Sequence, residues 1–139
     1  MTQSLDTCLI HSIASFSDDR GSLISLEGGG NVPFDIKRVY CIYGISPGAE
    51  RGFHAHRDLR QMAVCLHGSC TIVLDNGRER REVRLDMPDQ ALEIGNMVWR
   101  EMRDFSADCV LMVLASQHYD EADYIRDYPT FQALAGEAQ

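Results

Sequence analysis

At 139 residues, with 45% hydrophobic and 24% charged side chains, the chain has the size and composition of one soluble globular domain, 1–139. Its formal charge of −8 argues against nucleic acid and anionic membrane as partners, and no window has the unbroken apolar length of a membrane helix. The opening MTQSLDTCLIHSIASF lacks the basic start and apolar run of an export signal, so a cytoplasmic protein is expected.

Two further features of composition narrow the chemistry. The five cysteines (Cys8, Cys41, Cys65, Cys70 and Cys109) are odd in number and form no CxxC pair, which reads as reduced, mostly buried thiols. The 13 basic residues are twelve arginines and one lysine. Arginine grips phosphate or carboxylate oxygens through two parallel hydrogen bonds, so an anionic ligand is compatible with an acidic protein.

In chain order, residues 9–15 are short and apolar, and Ser17-Asp18-Asp19-Arg20-Gly21 reads as a turn. Residues 22–27 alternate like a strand, and the Gly28-Gly29-Gly30-Asn31 loop follows. No strand-to-helix phosphate-loop spacing accompanies those glycines. Residues 36–45 (IKRVYCIYGI) are β-rich. Alternation puts Arg38, Tyr40 and Ile42 on one face and Val39, Cys41 and Tyr43 on the other. Strands are expected at 61–66 and 69–74, the second leading to an Asn76-Gly77 hairpin signal. The charged run Arg78 to Arg84 reads as a solvated hairpin face. Short strands follow at 91–94 and 97–102, and the almost wholly apolar CVLMVLA (109–115) reads as a central strand. From Glu121 the spacing of Tyr124 and Tyr128 suggests a short C-terminal helical segment, broken by Pro129. Many short strands without intervening helices imply an all-β antiparallel jelly roll or barrel.

Arg51-Gly52-Phe53-His54-Ala55-His56 carries the chemistry. Two imidazoles at i and i+2 share one face of a strand, where they can hold a metal or move protons near neutral pH. His54-x-His56, Gln61 and Gly68 resemble the first motif of the cupin superfamily, whose metal-binding members supply two His and a Glu there and a third His from a second motif. Here Gln61 takes the Glu place, and Val98 falls where the last imidazole belongs. Two histidines alone make a weak trap for a divalent ion, so no metal and no other cofactor is expected. Proton chemistry is the reading left for the pair. His11, His67 and His118 read as ordinary.

Beyond this spacing, residues 9–131 resemble the nucleotide-sugar 3,4-ketoisomerases. The matching segments are Phe16-x-Asp18-x-Arg20-Gly21-Ser22-Leu23-Ile24, Phe34-Asp35-Ile36-Lys37-Arg38-Val39-Tyr40, the Arg51–His56 run, Val98-Trp99-x-Glu101-Met102, and Leu114-Ala115-Ser116 through Tyr119-Asp120-Glu121-x-Asp123-Tyr124-Ile125-Arg126. The resemblance implies a metal-free, homodimeric cupin that converts dTDP-4-keto-6-deoxy-D-glucose to a 3-keto sugar, for surface-polysaccharide or antibiotic sugars. It implies His54 as base at carbon 3 and His56 as its partner, with the two roles exchangeable. Tyr40 would donate to the sugar oxygens, and Arg51 and Arg38 would hold the diphosphate. Trp99 is the candidate to stack on thymine or else to fill the core. Gln61 and Arg100 join the expected substrate contacts, although Arg100 stands where some relatives have histidine. A 3,5-epimerase on similar substrates, and a non-catalytic sugar-binding or sensor cupin or a metal-dependent dioxygenase, are the competing readings.

Overall fold

The computed structural model describes residues 5–137 and confirms an all-β antiparallel jelly roll with one short C-terminal helix. The strands are β1 (Ile10–Ser12), β2 (Ser15–Asp18), β3 (Gly21–Ile24), β4 (Arg38–Ile42), β5 (Arg51–His56), β6 (Gln61–His67), β7 (Cys70–Asp75), β8 (Arg80–Leu85), β9 (Gln90–Ile94), β10 (Trp99–Arg103), β11 (Val110–Ala115) and β12 (Tyr124–Ile125). They form two five-stranded sheets, in the orders β1-β9-β6-β11-β4 and β12-β5-β10-β7-β8, and a separate β2–β3 hairpin. No helix among the described residues is long and apolar enough to cross a membrane.

The core follows the sequence patterning. Ala63, Cys65, Leu92, Ile94, Leu111 and Val113 of the first sheet meet Cys70, Ile72, Leu74, Leu85 and Met102 of the second. Each fully buried Leu or Ile contributes about 1.5–3 kcal/mol, so this layer is what holds the sheets face to face. Cys65, Cys70 and Cys109 lie within it as free thiols, with Cys65 Sγ 3.7 Å from Cys109 Sγ. Burial pushes the Cys65 thiol up to about 12, so it packs as a small apolar group.

Each sheet also has an outer cover. Val32 and the partly buried Leu26, Phe34 and Ile36 lie over Met62, Val64, Ala91 and Leu114 of the first sheet. On the second, the helix α1 (Tyr128–Glu137) places Phe131 and Ala135 against Ala55, Trp99 and Ile125. Tyr128 fixes the helix by donating its hydroxyl proton to Asp75 Oδ2 at 2.8 Å.

Three local expectations change. Pro129 does not break the helix; it stands in its first turn, where the missing N–H has no intrahelical partner to lose. Tyr124 belongs to β12, paired with His56 of β5, rather than to a helix. Ser15–Asp18 is a strand, and the turn is confined to Asp19 and Arg20. The exposed cross-strand pair Phe16 and Leu23 explains the misreading, because these apolar residues project outward from a two-stranded ribbon.

Candidate active site

The open side of the sandwich, between edge strand β4 and the pair β5–β12, holds a cavity of about 290 Å³. The alternation expected for β4 is observed: Arg38, Tyr40 and Ile42 line the cavity, whereas Val39 and Tyr43 are exposed on the other face. Arg51, Gly52 and His54 of β5, Met102 of β10, and Tyr124 and Arg126 of the β12 segment complete the wall.

β5 reaches this arrangement through a bulge. His54 pairs with Arg100 and Gly52 with Glu101, so Phe53 is an extra residue with no opposite number, at φ 59°. Gly52 is needed beside it: its φ is 89°, and a Cβ would approach the Arg100 carbonyl oxygen to 2.9 Å. In a regular strand Arg51 and His54, three apart, point to opposite faces. The extra residue turns both into the cavity.

His54 and His56 come together as expected, with ring centroids 4.9 Å apart and planes at 88°. His56 is fully buried, and its Nδ1 lies 3.0 Å from Asp123 Oδ2. That carboxylate also accepts the backbone N–H groups of Asp58 (2.8 Å) and Leu59 (3.3 Å), so its role toward the ring is acceptor. His56 therefore carries its proton on Nδ1 and presents a lone pair at Nε2. Nε2 of His56 and Nδ1 of His54 are buried and make no hydrogen bond among the described residues. Burial first, and the Arg100 guanidinium second, hold both rings neutral, lowering His54 to about 4 and His56 to about 2. The result is two uncharged bases with free nitrogens at neutral pH.

The cations divide into two groups. Arg38 Nε and one terminal nitrogen are buried and unpartnered among the described residues, between the rings of Tyr40 and Tyr119. Arg51 is exposed at the cavity wall, and Arg126 stacks on Tyr124 at 4.2 Å while pairing with Glu121. These three fit an anionic group at the entrance. Arg100 is different. It is fully buried on the inward face of β10, and its guanidinium donates to the Val98 carbonyl and to Gln61 Oε1. Gln61 in turn donates Nε2–H to the Tyr40 hydroxyl at 3.1 Å. Gln61 and Arg100 thus lie behind the wall as buried support.

Of the two roles expected of Trp99, stacking is corrected and core packing stands. Alternation along β10 turns it to the outer face of the second sheet, where it is 3% exposed against Tyr128 and Phe131. It fills the core under α1 and offers no stacking surface to the cavity. Asp123, Tyr124 and Arg126 are the site residues that sequence reasoning did not single out, although all three fall within the last matching segment.

The residues do not suit a divalent ion. The Gln61 oxygen is taken by Arg100, Val98 is a fully buried core residue, and a guanidinium already supplies positive charge behind the histidines.

The chain is similar to known proteins over nearly its whole length. The family model described as FdtA: WxcM-like, C-terminal, matches residues 6–136. Over 115 residues the chain is 54% identical to the TDP-4-oxo-6-deoxy-alpha-D-glucose-3,4-oxoisomerase of Aneurinibacillus thermoaerophilus, covering 83% of each sequence. Its fold matches QdtA, a sugar 3,4-ketoisomerase from Thermoanaerobacterium thermosaccharolyticum solved with TDP, at TM-score 0.94 and 41% identity over 97% of this chain and 98% of that one. A mutant of QdtA was also solved with TDP-4-keto-6-deoxyglucose. A 3,4-ketoisomerase from Helicobacter canadensis matches at TM-score 0.90 and 45% identity, covering 92% and 96% of the two chains. These matches are enzymes of one reaction class, and the chain belongs to the FdtA family of nucleotide-sugar 3,4-ketoisomerases.

Proposed function

We propose that the chain moves the ketone of dTDP-4-keto-6-deoxy-D-glucose from carbon 4 to carbon 3. The observation that carries this is the pair of uncharged imidazoles, each with a free buried nitrogen, 4.9 Å apart by ring centroid at a cation-rimmed cavity. Carbons 3 and 4 are bonded neighbours, so one ring can reach each. His54 takes the proton from carbon 3, and the electron pair forms the carbon 3–carbon 4 double bond of an enediolate with negative charge on oxygen 4. His54 passes that proton to oxygen 4, His56 accepts the 3-hydroxyl proton at its Nε2 lone pair as the double bond collapses to a ketone at carbon 3, and His56 returns that proton to carbon 4. The two imidazoles exchange roles in the reverse reaction. Tyr40, whose oxygen already accepts from Gln61, directs its own proton toward the sugar oxygens. Arg38, Arg51 and Arg126 hold the diphosphate. The reaction needs no metal or redox cofactor.

The test is NMR of the product formed from dTDP-4-keto-6-deoxyglucose in deuterium oxide, with enzyme treated with a chelator. A ketone at carbon 3 with deuterium at carbon 4 is expected. An epimerase would leave the ketone at carbon 4, and a sugar-binding cupin would return the substrate unchanged.

The enzyme works as a homodimer in the cytoplasm. Phe16 and Leu23 are 65% and 60% exposed on a hairpin that joins neither sheet, and Val39 on edge strand β4 and Tyr43 just after it are 53% and 73% exposed. A second copy that covers these groups removes an exposed apolar ribbon and an open sheet edge together. Sedimentation should give twice the chain mass at micromolar concentration, reduced to one in the Phe16→Ser, Leu23→Ser double variant. The five free cysteines accord with a reducing compartment.

A further inference from the structure

We propose that Arg100 is the resident cation of this site, a positioning residue that acts through Gln61 and Tyr40. The inference rests on the ketoisomerase reading and names how that reaction's developing negative charge is met.

The geometry begins with burial. Arg100 has no exposed surface and is among the largest side chains enclosed completely. Burying a guanidinium costs several kcal/mol unless it is paired or put to use. The hydrogen bonds it makes among the described residues go to neutral oxygens, the Val98 carbonyl and the Gln61 amide. Asp123, the carboxylate nearest in effect, is already engaged with His56 and two backbone N–H groups. A core leucine or methionine would fill the same space without that cost, so packing alone does not account for arginine here.

The chain of donors has one direction. Arg100 donates to Gln61 Oε1, Gln61 Nε2–H donates to the Tyr40 hydroxyl, and Tyr40 lines the cavity. Each dipole turns its positive end toward the cavity, and such chains polarise one another. The Tyr40 proton has nowhere to point along the chain, because that oxygen is the acceptor from Gln61. It is directed at the oxygen on which enediolate charge appears. Arg100 does not touch substrate; it strengthens the group that does.

The same charge acts on the two bases. The titratable or charged groups around Arg100 and the imidazoles are Tyr40 on β4, Cys8 near the N-terminus, Glu121, Asp123, Tyr124 and Arg126 around β12, and Arg38. Among the charged groups, Arg100 acts most strongly on both histidines, after burial itself. One residue thus keeps the bases free of protons and makes the opposite hydroxyl a better donor. The two effects predict different readouts.

The experiment compares wild type with Arg100→Gln and Arg100→Lys. For Arg100→Gln, kcat should fall about a hundredfold, the scale of one electrostatic donor, with TDP affinity within about twofold because no phosphate contact is lost. The acid limb of kcat/KM should move to higher pH. The histidine ring signals of the TDP complex, followed by NMR, should titrate about one pH unit or more higher. Arg100→Lys retains the charge and should keep the acid limb near its wild-type position while recovering part of kcat. A loss confined to TDP affinity, near-full activity, or reduced activity without movement of the histidine titration overturns the proposal. If Arg100→Gln does not fold, Gln61→Met serves: it keeps the cation and cuts the relay, so kcat should fall about tenfold with the acid limb unmoved. Full kcat in that variant overturns the relay. The histidine titration needs no turnover, so it tests Arg100 independently of the substrate. A wild type that fails to isomerise the sugar strikes the functional reading alone.

Discussion

Asp123→Asn separates the orientation of His56 from the mere presence of the ring. In the wild type, Oδ1 accepts from Asp58 N at 2.8 Å, and Oδ2 accepts from both His56 Nδ1 at 3.0 Å and Leu59 N at 3.3 Å. An amide has one acceptor oxygen, so one side must lose. With the oxygen kept toward Asp58, the new NH2 confronts Leu59 N–H and His56; the bond given up to the backbone is the longer of the two. Flipping the amide would instead give up the shorter one. Each orphaned N–H costs about 1–3 kcal/mol, and the weaker bond is the cheaper loss, so the first arrangement prevails. It forces His56 to accept at Nδ1 and to carry its proton on Nε2, the nitrogen needed as a lone pair. A wrong tautomer of this kind lowers turnover by about 10²–10⁴-fold. We expect kcat down by about that factor, KM and TDP affinity within about threefold, and Tm lower by about 3–6 °C. Steady-state kinetics with product NMR, beside thermal melts, reads all of these. A folded variant with kcat within about threefold of wild type would refute the tautomer argument.

His54→Asn should leave fold and TDP affinity intact while lowering turnover about a hundredfold, the scale of one positioned acid or base; an unaltered rate removes His54 from the mechanism. Gly52→Ala places a Cβ 2.9 Å from the Arg100 carbonyl at φ +89°, and should cost about 1–3 kcal/mol in urea unfolding while lowering kcat through displacement of His54. Acid should also unbalance the fold. Both histidines are held below their ordinary 6.5, to about 4 and about 2, so between pH 6.5 and pH 4 the unfolded chain binds protons that the folded one does not. Stability then rises with pH across that window and is lost as pH falls through it. Urea midpoints at pH 7, 5.5 and 4.5 should show the decline, with a shallower slope in His54→Asn; equal slopes would contradict a buried neutral His54.

Much of the barrel was legible because buried strands announce themselves. The apolar run at 109–115 became the central β11, and the alternation at 38–42 sorted cavity from solvent correctly. The β2–β3 hairpin was obscured for the opposite reason: Phe16 and Leu23 face out, against the rule by which strands are read. Pro129 reads in sequence as an end and is in the structure a beginning, since proline is compatible with a first turn and hostile only to an interior. At the site, local spacing gave the His pair, Tyr40, Arg38 and Arg51. Asp123 reaches His56 across 67 residues of sequence, a pairing made by β12 beside β5 that no local pattern encodes. For Trp99 and Arg100 the signal was present. Val98, Arg100 and Met102 alternate with Trp99, Glu101 and Arg103, and the set containing valine and methionine is the one that faces inward.

The unpaired residue at Phe53 makes this wall sensitive to parity. Removing one amino acid from a loop shortens a connection, but pairing Phe53 into the ladder would set Arg51 and the first imidazole three positions apart on a regular strand, facing opposite ways. The hydrogen-bond ladder could close, yet Arg51 would be swung out into water while the histidine stayed inside. Charge recognition and proton transfer in this protein are therefore joined by a miscount between two neighbouring strands, and a correction of that miscount would leave a sound barrel with its two tasks uncoupled.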